Sequence, residues 1–190
     1  TVNDQQVLVD CGMFQGAKEL RQQNWDLPKF DPKRLAGVVV THAHIDHIGY
    51  LPRLGRMGYS KPIYATPPTV ELAKVSLKDA AYLQEEDADY RNRKRLTRHE
   101  KALPLFDSGD VERIEDQFVE RNYGEWLDAA PGIRFRYHII GHILGAASVE
   151  MVLNDGHKEV SILFSGDVGR YGNPLTRNPG TPPQTDYIVC

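Results

Sequence analysis

Three histidines and one aspartate fall within the six residues 42–47, HAHIDH, of a chain that contains only 7 histidines in 190 residues. The run LAGVVV at 35–40 directly precedes them and is typical of a strand buried on both faces. Three imidazoles and a carboxylate beside a buried strand are costly unless a cation organises them. The pattern therefore predicts a metal site that begins where this strand ends.

The spacing within the stretch separates the donors into two pairs. If the chain stays extended through residue 44, His42 and His44 project to the same side, because side-chain direction repeats every second residue. Two such imidazoles can hold one Zn²⁺ at about 2.0–2.1 Å each. Asp46 and His47 follow where the chain turns, so they are predicted to serve a neighbouring ion. Neither pair is complete, and further ligands must come from elsewhere.

Two other loops offer the same residue types directly after strand-like segments. His142 lies in GHILG after FRYHII, and Asp167 lies in SGDVG after VSILF. Each is flanked by glycines, which permit tight turns and close approach. Since the ends of neighbouring strands lie side by side, both loops are predicted to converge on residues 42–47.

These candidates are assigned to two zinc ions. His42, His44 and His142 are predicted to hold the first ion, and Asp46 and His47 the second, with Asp167 bridging both. Asp46, His142 and Asp167 are also the predicted catalytic residues.

Four further residues are interpreted as supporting or ordinary. Asp10 in LVDCG is predicted to orient a ligand imidazole from the second layer around the metal. His99 in a charged helix, His138 in a strand and His157 at a hairpin turn are interpreted as residues without a metal role.

A pair of zinc ions about 3.5–4 Å apart lowers the pKa of a shared water and holds the resulting hydroxide. Two Zn²⁺ ions, the carboxylates of Asp46 and Asp167 and one hydroxide leave a residual charge of about +1. That charge attracts an anionic substrate, and a phosphodiester fits well. An amide or thioester would also be polarised, so charge alone leaves the choice open.

The composition fits one soluble globular domain, with 41% hydrophobic and 26% charged residues. A net charge of −3 gives no general attraction to nucleic acid, although a local patch or bound cations can supply one. No apolar run approaches the roughly 20 residues that cross a bilayer. Two cysteines exclude a disulfide framework and a cysteine zinc site, and they favour a reducing, cytoplasmic compartment.

The periodicity predicts mixed strands and helices, hence an α+β or α/β class. Strands are expected at 7–9, 35–40, 63–66, 133–140 and 185–190, together with a hairpin over 149–164. Thr66 and Pro67 predict the start of a long helix that runs to about Arg98, and Ser108 predicts the cap of another helix or a turn. The buried edge of the long helix is expected at Leu72, Val75, Leu83 and Leu96. Its charged face is interpreted as solvated rather than as a nucleic-acid patch.

Four motifs carry a family resemblance. THAHIDHIGYLP is similar to the signature of the metallo-β-lactamase superfamily. VDCGMFQG, GHILGAAS and FSGDVGR resemble its β-CASP branch of nucleases, which includes the messenger-RNA 3′-end cleavage endonuclease and bacterial and archaeal ribonucleases. The likeness covers the chain from about Val7 to its end.

The resemblance implies an αββα sandwich, a dinuclear zinc centre, and hydrolysis of RNA or, in some members, DNA. The six candidate ligands correspond to the ligands of the family, and Asp10 corresponds to its first-motif aspartate. Members of the family carry strands before this region, and a cap domain and two more histidines after it. One of those histidines completes the second zinc site and another is implicated in protonating the leaving group. Residues 1–190 are therefore expected to be a partial, incomplete metallo-β-lactamase-like domain that is inactive by itself.

The leading hypothesis is zinc-dependent hydrolysis of phosphodiester bonds in RNA by a metal-bridging hydroxide. Single-stranded RNA is the expected partner, with DNA and a homo-oligomer left open and no membrane. The alternatives are hydrolysis of a small thioester or lactone, and a non-catalytic scaffold subunit.

Overall fold

The computed structural model describes residues 1–97 and 100–190, so His99 and Arg98 lie outside the described residues. The strands are β1 (Gln6–Val9), β2 (Leu35–Val39), β3 (Ile63–Ala65), β4 (Phe118–Glu120), β5 (Leu127–Ala130), β6 (Ile133–Ile139), β7 (Ala147–Asn154), β8 (Glu159–Phe164) and β9 (Tyr187–Val189). The α-helices are α1 (Lys18–Gln22), α2 (Ile45–Ile48), α3 (Leu51–Arg56), α4 (Pro67–Lys94) and α5 (Ser108–Glu115). Short 3₁₀ turns occupy Gln23–Trp25 and Pro32–Arg34.

The strands form two sheets of different character. The first has the order β1-β2-β3-β4, and all its strands are parallel. The second has the order β5-β6-β7-β8-β9, antiparallel except for the parallel pair β8 and β9. Because β6 and β8 both run opposite to β7, their carboxyl ends lie at the same edge of the second sheet.

Two hydrophobic clusters define the layers. The helices pack on one face of the first sheet, where Val38, Leu54 and Leu77 are fully buried. The other face of that sheet packs on the second sheet, with Val39 and Phe135 in the shared core. In the described ranges the layers therefore run helix, sheet, sheet, and the predicted mixed α/β sandwich, incomplete relative to αββα, is confirmed.

The long helix α4 begins where Thr66 and Pro67 predict, but it ends at Lys94 and its buried face differs from the prediction. Val75, Leu83 and Leu96 are 68%, 58% and 63% exposed, so the predicted edge is wrong for these three. The buried positions are mostly small: Thr69, Val70, Ala73, Leu77, Ala81 and Ala88. Small side chains let the helix lie close to its neighbours, a contact that a search for large apolar residues misses. No helix in the described part of the chain is both long and apolar enough to span a membrane.

Other predicted elements agree closely, with small corrections. Strand β2 is buried along nearly its whole length, as its composition predicts. The cap of α5 is Asp107 rather than Ser108, because Asp107 and Asp110 form a reciprocal capping box. Strands β4 and β5 are not predicted by local pattern, since each is short and owes its conformation to pairing with a neighbouring strand.

Candidate metal centre

Every candidate side chain follows the carboxyl end of a strand. Asp10 follows β1, residues 41–47 follow β2, His142 follows β6 and Asp167 follows β8. A backbone hydrogen bond from the Ala147 N–H to the Thr41 carbonyl, 2.9 Å long, joins the two sheets at this edge. The fold thus brings loops from both sheets to one place.

The conformation of residues 42–47 agrees with the spacing argument. The chain remains extended through His44, whose φ and ψ are −72° and 149°, and α2 begins at Ile45. His42 and His44 therefore point to one side, whereas Asp46 and His47 lie on the first turn of α2. This change from extended to helical backbone separates the two pairs of donors.

The loop after β1 holds α2 in place. Cys11 N–H donates to the His47 carbonyl over 2.7 Å, and Tyr50 N–H donates to the Cys11 carbonyl over 2.9 Å. Gly12 lies so close to α2 that a Cβ atom there would sit 1.5 Å from the carbonyl oxygen of Asp46. Any other residue would displace the turn that carries Asp46 and His47.

Four donor atoms gather tightly enough for one metal ion. They belong to His42, His44, His142 and Asp167, and all lie within 4.8 Å of one another. His44 Nδ1 lies 3.0 Å from His42 Nε2 and 3.2 Å from His142 Nε2. Asp167 Oδ2 lies 3.5 Å from His142 Nε2 and 3.8 Å from His42 Nε2.

These separations suit a tetrahedral ion. Donors about 2.0–2.1 Å from a tetrahedral centre lie about 3.3 Å from each other. The four separations given above, from 3.0 to 3.8 Å, bracket this value. The set can therefore close around a single ion with small side-chain adjustments.

The second pair of donors is less complete. His47 Nε2 lies 3.5 Å from Asp167 Oδ1, the oxygen that does not face the first group. Asp46 is exposed, and neither Asp46 nor His47 belongs to the tight group of four. Asp167 thus presents one oxygen to each half of the site, whereas the Asp46 side remains open.

Asp10 and Thr41 form a hydrogen-bonded layer behind the imidazoles. The Asp10 carboxylate accepts from the Thr41 N–H and hydroxyl, each over 2.7 Å. Its Oδ2 also lies 2.7 Å from His47 Nδ1, which leaves Nε2 of that ring directed at Asp167. The Thr41 hydroxyl is 3.1 Å from His42 Nδ1, so one pair of residues contacts an imidazole from each half-site.

The rings of His42 and His47, which Thr41 and Asp10 contact, differ in how readily they bind a proton. Burial, helped by the neighbouring His47 and His44, lowers the pKa of His42 to about 3. Burial also opposes protonation of His47, but the hydrogen bond and charge of Asp10 outweigh it and raise the pKa of His47. His42 is therefore neutral at pH 7, the state in which imidazole donates electrons to a metal.

The loops of His142 and Asp167 are joined by backbone contacts. Gly169 N–H donates to the Ile140 carbonyl over 2.8 Å, and a Cβ on Gly169 would sit 2.1 Å from the Gly141 carbonyl oxygen. Gly141 itself has φ +65°, a conformation that favours glycine. The glycines beside both candidate ligands thus allow the two loops to touch.

His138 and His157, two of the histidines interpreted as ordinary, lie away from this group. His138 Nε2 contacts the Glu150 carboxylate at 2.6 Å on the second sheet. His157 is exposed in the turn between β7 and β8. Sequence reasoning missed Thr41 and Gly12 as positioning residues. The role of Thr41 has one signal in the sequence, because it is a hydroxyl residue between the buried strand at 35–40 and the first candidate ligand, His42.

The model of the Metallo-beta-lactamase superfamily matches residues 2–188 of this chain. The chain belongs to the metallo-beta-lactamase superfamily. Ribonuclease TTHA0252 of Thermus thermophilus is 35% identical over 184 residues, which are 97% of this chain and 37% of that protein. Transcription termination factor FttA of Methanococcus maripaludis is 32% identical over 166 residues, 87% of this chain and 24% of that protein.

This metallo-beta-lactamase domain thus spans only a quarter to somewhat over a third of the length of these curated relatives. A solved metallo-beta-lactamase of Cronobacter sakazakii shares the fold at a TM-score of 0.55 and 20% identity, over 92% of this chain and 54% of that one. The predicted superfamily is confirmed, and the relatives that match include a protein named as a ribonuclease.

Proposed function

We propose that this chain carries the metal-binding part of a zinc-dependent active site that hydrolyses phosphodiester bonds in RNA, in the β-CASP branch of its superfamily. One observation carries the proposal. Four donor atoms lie within 4.8 Å of each other, and the remaining oxygen of Asp167 faces His47. Membership of the metallo-beta-lactamase superfamily and a relative named ribonuclease support this choice of chemistry.

The donor set fits zinc. Three imidazoles and a carboxylate, with no cysteine, are ligands that Zn²⁺ binds in tetrahedral sites. The first ion would be held by His42, His44, His142 and Asp167. The second would be held by Asp46 and His47 together with the other oxygen of Asp167, a set with positions left open for water or substrate.

Bound zinc supplies Lewis acidity and lowers the pKa of water toward neutrality. The residues of the chain supply the geometry for that chemistry. Asp167 fixes the spacing between the two half-sites because its two oxygens point to different histidines. Asp10 holds the His47 ring with Nε2 turned to the site. Asp46 and His142 are the proposed catalytic partners of Asp167.

RNA is the proposed substrate class for two reasons. The site concentrates positive charge when loaded, which favours a phosphodiester over a neutral ester. The relative from Thermus thermophilus is named a ribonuclease and covers 97% of this chain. Single-stranded RNA in a reducing, cytoplasmic compartment is the partner and setting that we propose.

The test is cleavage of a labelled single-stranded RNA by the full-length gene product that contains these residues. We expect cleavage to stop in chelator and to return when Zn²⁺ is added. Asp46→Ala should abolish cleavage while RNA binding largely survives. Asp89→Ala is the matched control, because Asp89 is exposed on α4. Elemental analysis of the same samples reports the zinc content.

The outcomes separate the alternatives. Full turnover by Asp46→Ala in metal-controlled buffer contradicts the proposed site. Zinc-dependent cleavage of a small thioester or lactone, with RNA left intact, would assign the site to a different substrate. A protein that binds no zinc and cleaves nothing would be a scaffold.

A further inference from the structure

A cleft of about 380 Å³ borders the loop that carries His142. This volume lies in the range of about 300–1,000 Å³ that is typical of small-ligand sites. The beginning of α4, the loop before β5, the His142 loop and the segment 175–177 form its walls. Its lining includes Tyr123, Ile143, Leu144, Leu175, Thr176 and Arg177.

The loop that carries the candidate ligand His142 also forms part of the wall of the cleft. Gly141 and Ile143 both line it, and they are the chain neighbours of His142. Adjacent Cα atoms are about 3.8 Å apart, so the wall of the cleft lies within one residue of a candidate ligand. The cleft and the candidate metal site therefore share the loop that carries His142.

The wall of the cleft is fixed to the His142 loop. The Thr176 hydroxyl donates to the Gly141 carbonyl over 2.7 Å. Gly180 N–H donates to the Ile139 carbonyl over 2.9 Å. The segment between Asp167 and β9 thus folds back on the end of β6 and holds Arg177 at a set place beside the site.

Arg177 gives this cleft a positive charge. Its exposed guanidinium forms no ion pair or side-chain hydrogen bond with any residue in the described ranges. Burial raises the pKa of Tyr123, and the Thr66 hydroxyl and the charge of Arg177 oppose that rise, so Arg177 lies near the Tyr123 hydroxyl. Arg177 is the charged side chain in the lining.

A second cleft beside the site has the opposite character. It measures about 420 Å³ and its lining includes Asp10, Asp26 and Lys29, so acidic groups outnumber the basic one. The positive charge of a loaded site therefore gains nothing from this second cleft. Arg177 in the first cleft adds to the attraction for an anionic substrate.

The rest of the lining suits an unstacked base. Leu144 and Leu175 are 60% and 83% exposed and give the rim of the cleft an apolar surface. Tyr123 stands beside them, with its hydroxyl donating to the Ala146 carbonyl over 3.2 Å. Aromatic and apolar side chains next to a guanidinium are the surface on which single-stranded nucleic acids place a base and its phosphate.

We propose that this cleft binds the nucleotide next to the scissile phosphate of a single-stranded RNA, with the base against Leu144 and Tyr123 and the phosphate on Arg177. This inference rests on the proposed function and deepens it by naming a residue that binds substrate outside the metal site.

The first experiment measures the affinity of the metal-free full-length gene product for a short labelled RNA across a range of salt concentrations. Arg177→Gln should weaken binding about tenfold. It should also reduce the slope of log Kd against log salt by about 0.7, the value for one phosphate contact on a single strand. Arg34→Gln is the matched control, because Arg34 is exposed before β2, at the end of that strand remote from the site.

The second experiment locates the base. Leu144→Ala and an abasic RNA, lacking the base next to the cleavage position, should each weaken binding, and the two together should weaken it no more than either alone. Additive effects would overturn the assignment of the base to this cleft.

The failures of the two proposals are distinguishable. If the wild type cleaves RNA with zinc but Arg177→Gln has an unchanged Kd and salt slope, the proposed role of the cleft is wrong and the proposed nuclease function stands. A zinc-loaded wild type that neither binds nor cleaves RNA removes both.

Discussion

Histidines meet carboxylates in two regions of this molecule, and the two arrangements differ in how their polar atoms are matched. On the second sheet, the buried Glu150 carboxylate receives Arg136 Nε at 2.7 Å and His138 Nε2 at 2.6 Å. At the strand ends, His44 Nδ1 instead faces two other imidazole nitrogens, those of His42 and His142. The contacts of Glu150 pair a carboxylate with basic side chains, whereas the group at the strand ends brings imidazole nitrogens together.

The difference shows which histidines call for a cation. A carboxylate that accepts two donors is a complete ion pair and needs nothing further. Three ring nitrogens within 4.8 Å of one another and of one carboxylate share few protons, because neutral imidazole has a single N–H, and each nitrogen without a proton presents a lone pair to the same small space. A metal ion satisfies all of them at once.

Removing one imidazole from the group at the strand ends should have the largest effect on zinc binding. We expect His44→Ala to weaken binding of the first zinc ion by more than the roughly 10–100-fold cost of losing a supporting hydrogen bond. The measurement is zinc affinity by competition with a chromophoric chelator. His157→Ala, in an exposed turn, should bind zinc like the wild type. Equal affinities for the two variants would contradict the assignment.

Changing the support behind the second half-site should have an intermediate effect. In Asp10→Asn, the amide can present N–H to His47 Nδ1, which would move the ring proton to Nε2 and block that donor. We expect affinity for the second ion to fall about 10–100-fold, with a smaller change at the first. Calorimetric titration resolves the two ions, and an equal loss at both would argue against a specific role for Asp10.

Breaking the contacts of Glu150 on the second sheet should reduce stability and leave zinc binding unchanged. Burial opposes ionisation of Glu150, but hydrogen bonds from Arg136 and His138 outweigh it and hold the pKa of Glu150 below its ordinary value. The stabilisation is therefore full at neutral pH and is lost as the pH falls through the folded-state pKa. Glu150→Gln should reduce the free energy of unfolding by about 1–2 kcal/mol at neutral pH.

Urea unfolding over a range of pH checks this expectation. The wild type and Glu150→Gln should converge in acid, and their zinc content should be equal. Glu86→Gln, exposed on α4, is the control for loss of a surface charge. A difference in the free energy of unfolding between the wild type and Glu150→Gln that grows as the pH falls would contradict this expectation.

The sequence predicts elements best where local pattern and tertiary role agree. The buried strand β2 and the start of α4 follow from β-branched residues and from Thr66 and Pro67. The buried face of α4 does not follow, because Ala73, Ala81 and Ala88 carry it while Val75 and Leu83 face solvent. Which face is buried depends on how close the neighbouring elements come, and residue size alone does not reveal that.

The candidate site shows the same limit. Residue type and spacing identify the six ligand candidates, and the ordered motifs identify the superfamily. The approach of Gly12 to α2 and the contacts of Thr41 with His42 and His47 depend on packing between separate segments. The contribution of Arg177 likewise depends on a chain reversal, fixed at Gly141, that has no local signature.

The origin of the donors in different sheets has a consequence for folding. His42 and His44 come from the end of the first sheet, and His142 and Asp167 from the end of the second. An ion shared by them would link the two sheets and would dissociate whenever the sheets separate, so it would bind the folded state only. At a free metal concentration one hundred times its Kd, such an ion adds about 2.7 kcal/mol to the free energy of unfolding. Metal supply would then govern how long the protein persists as well as whether its site is loaded.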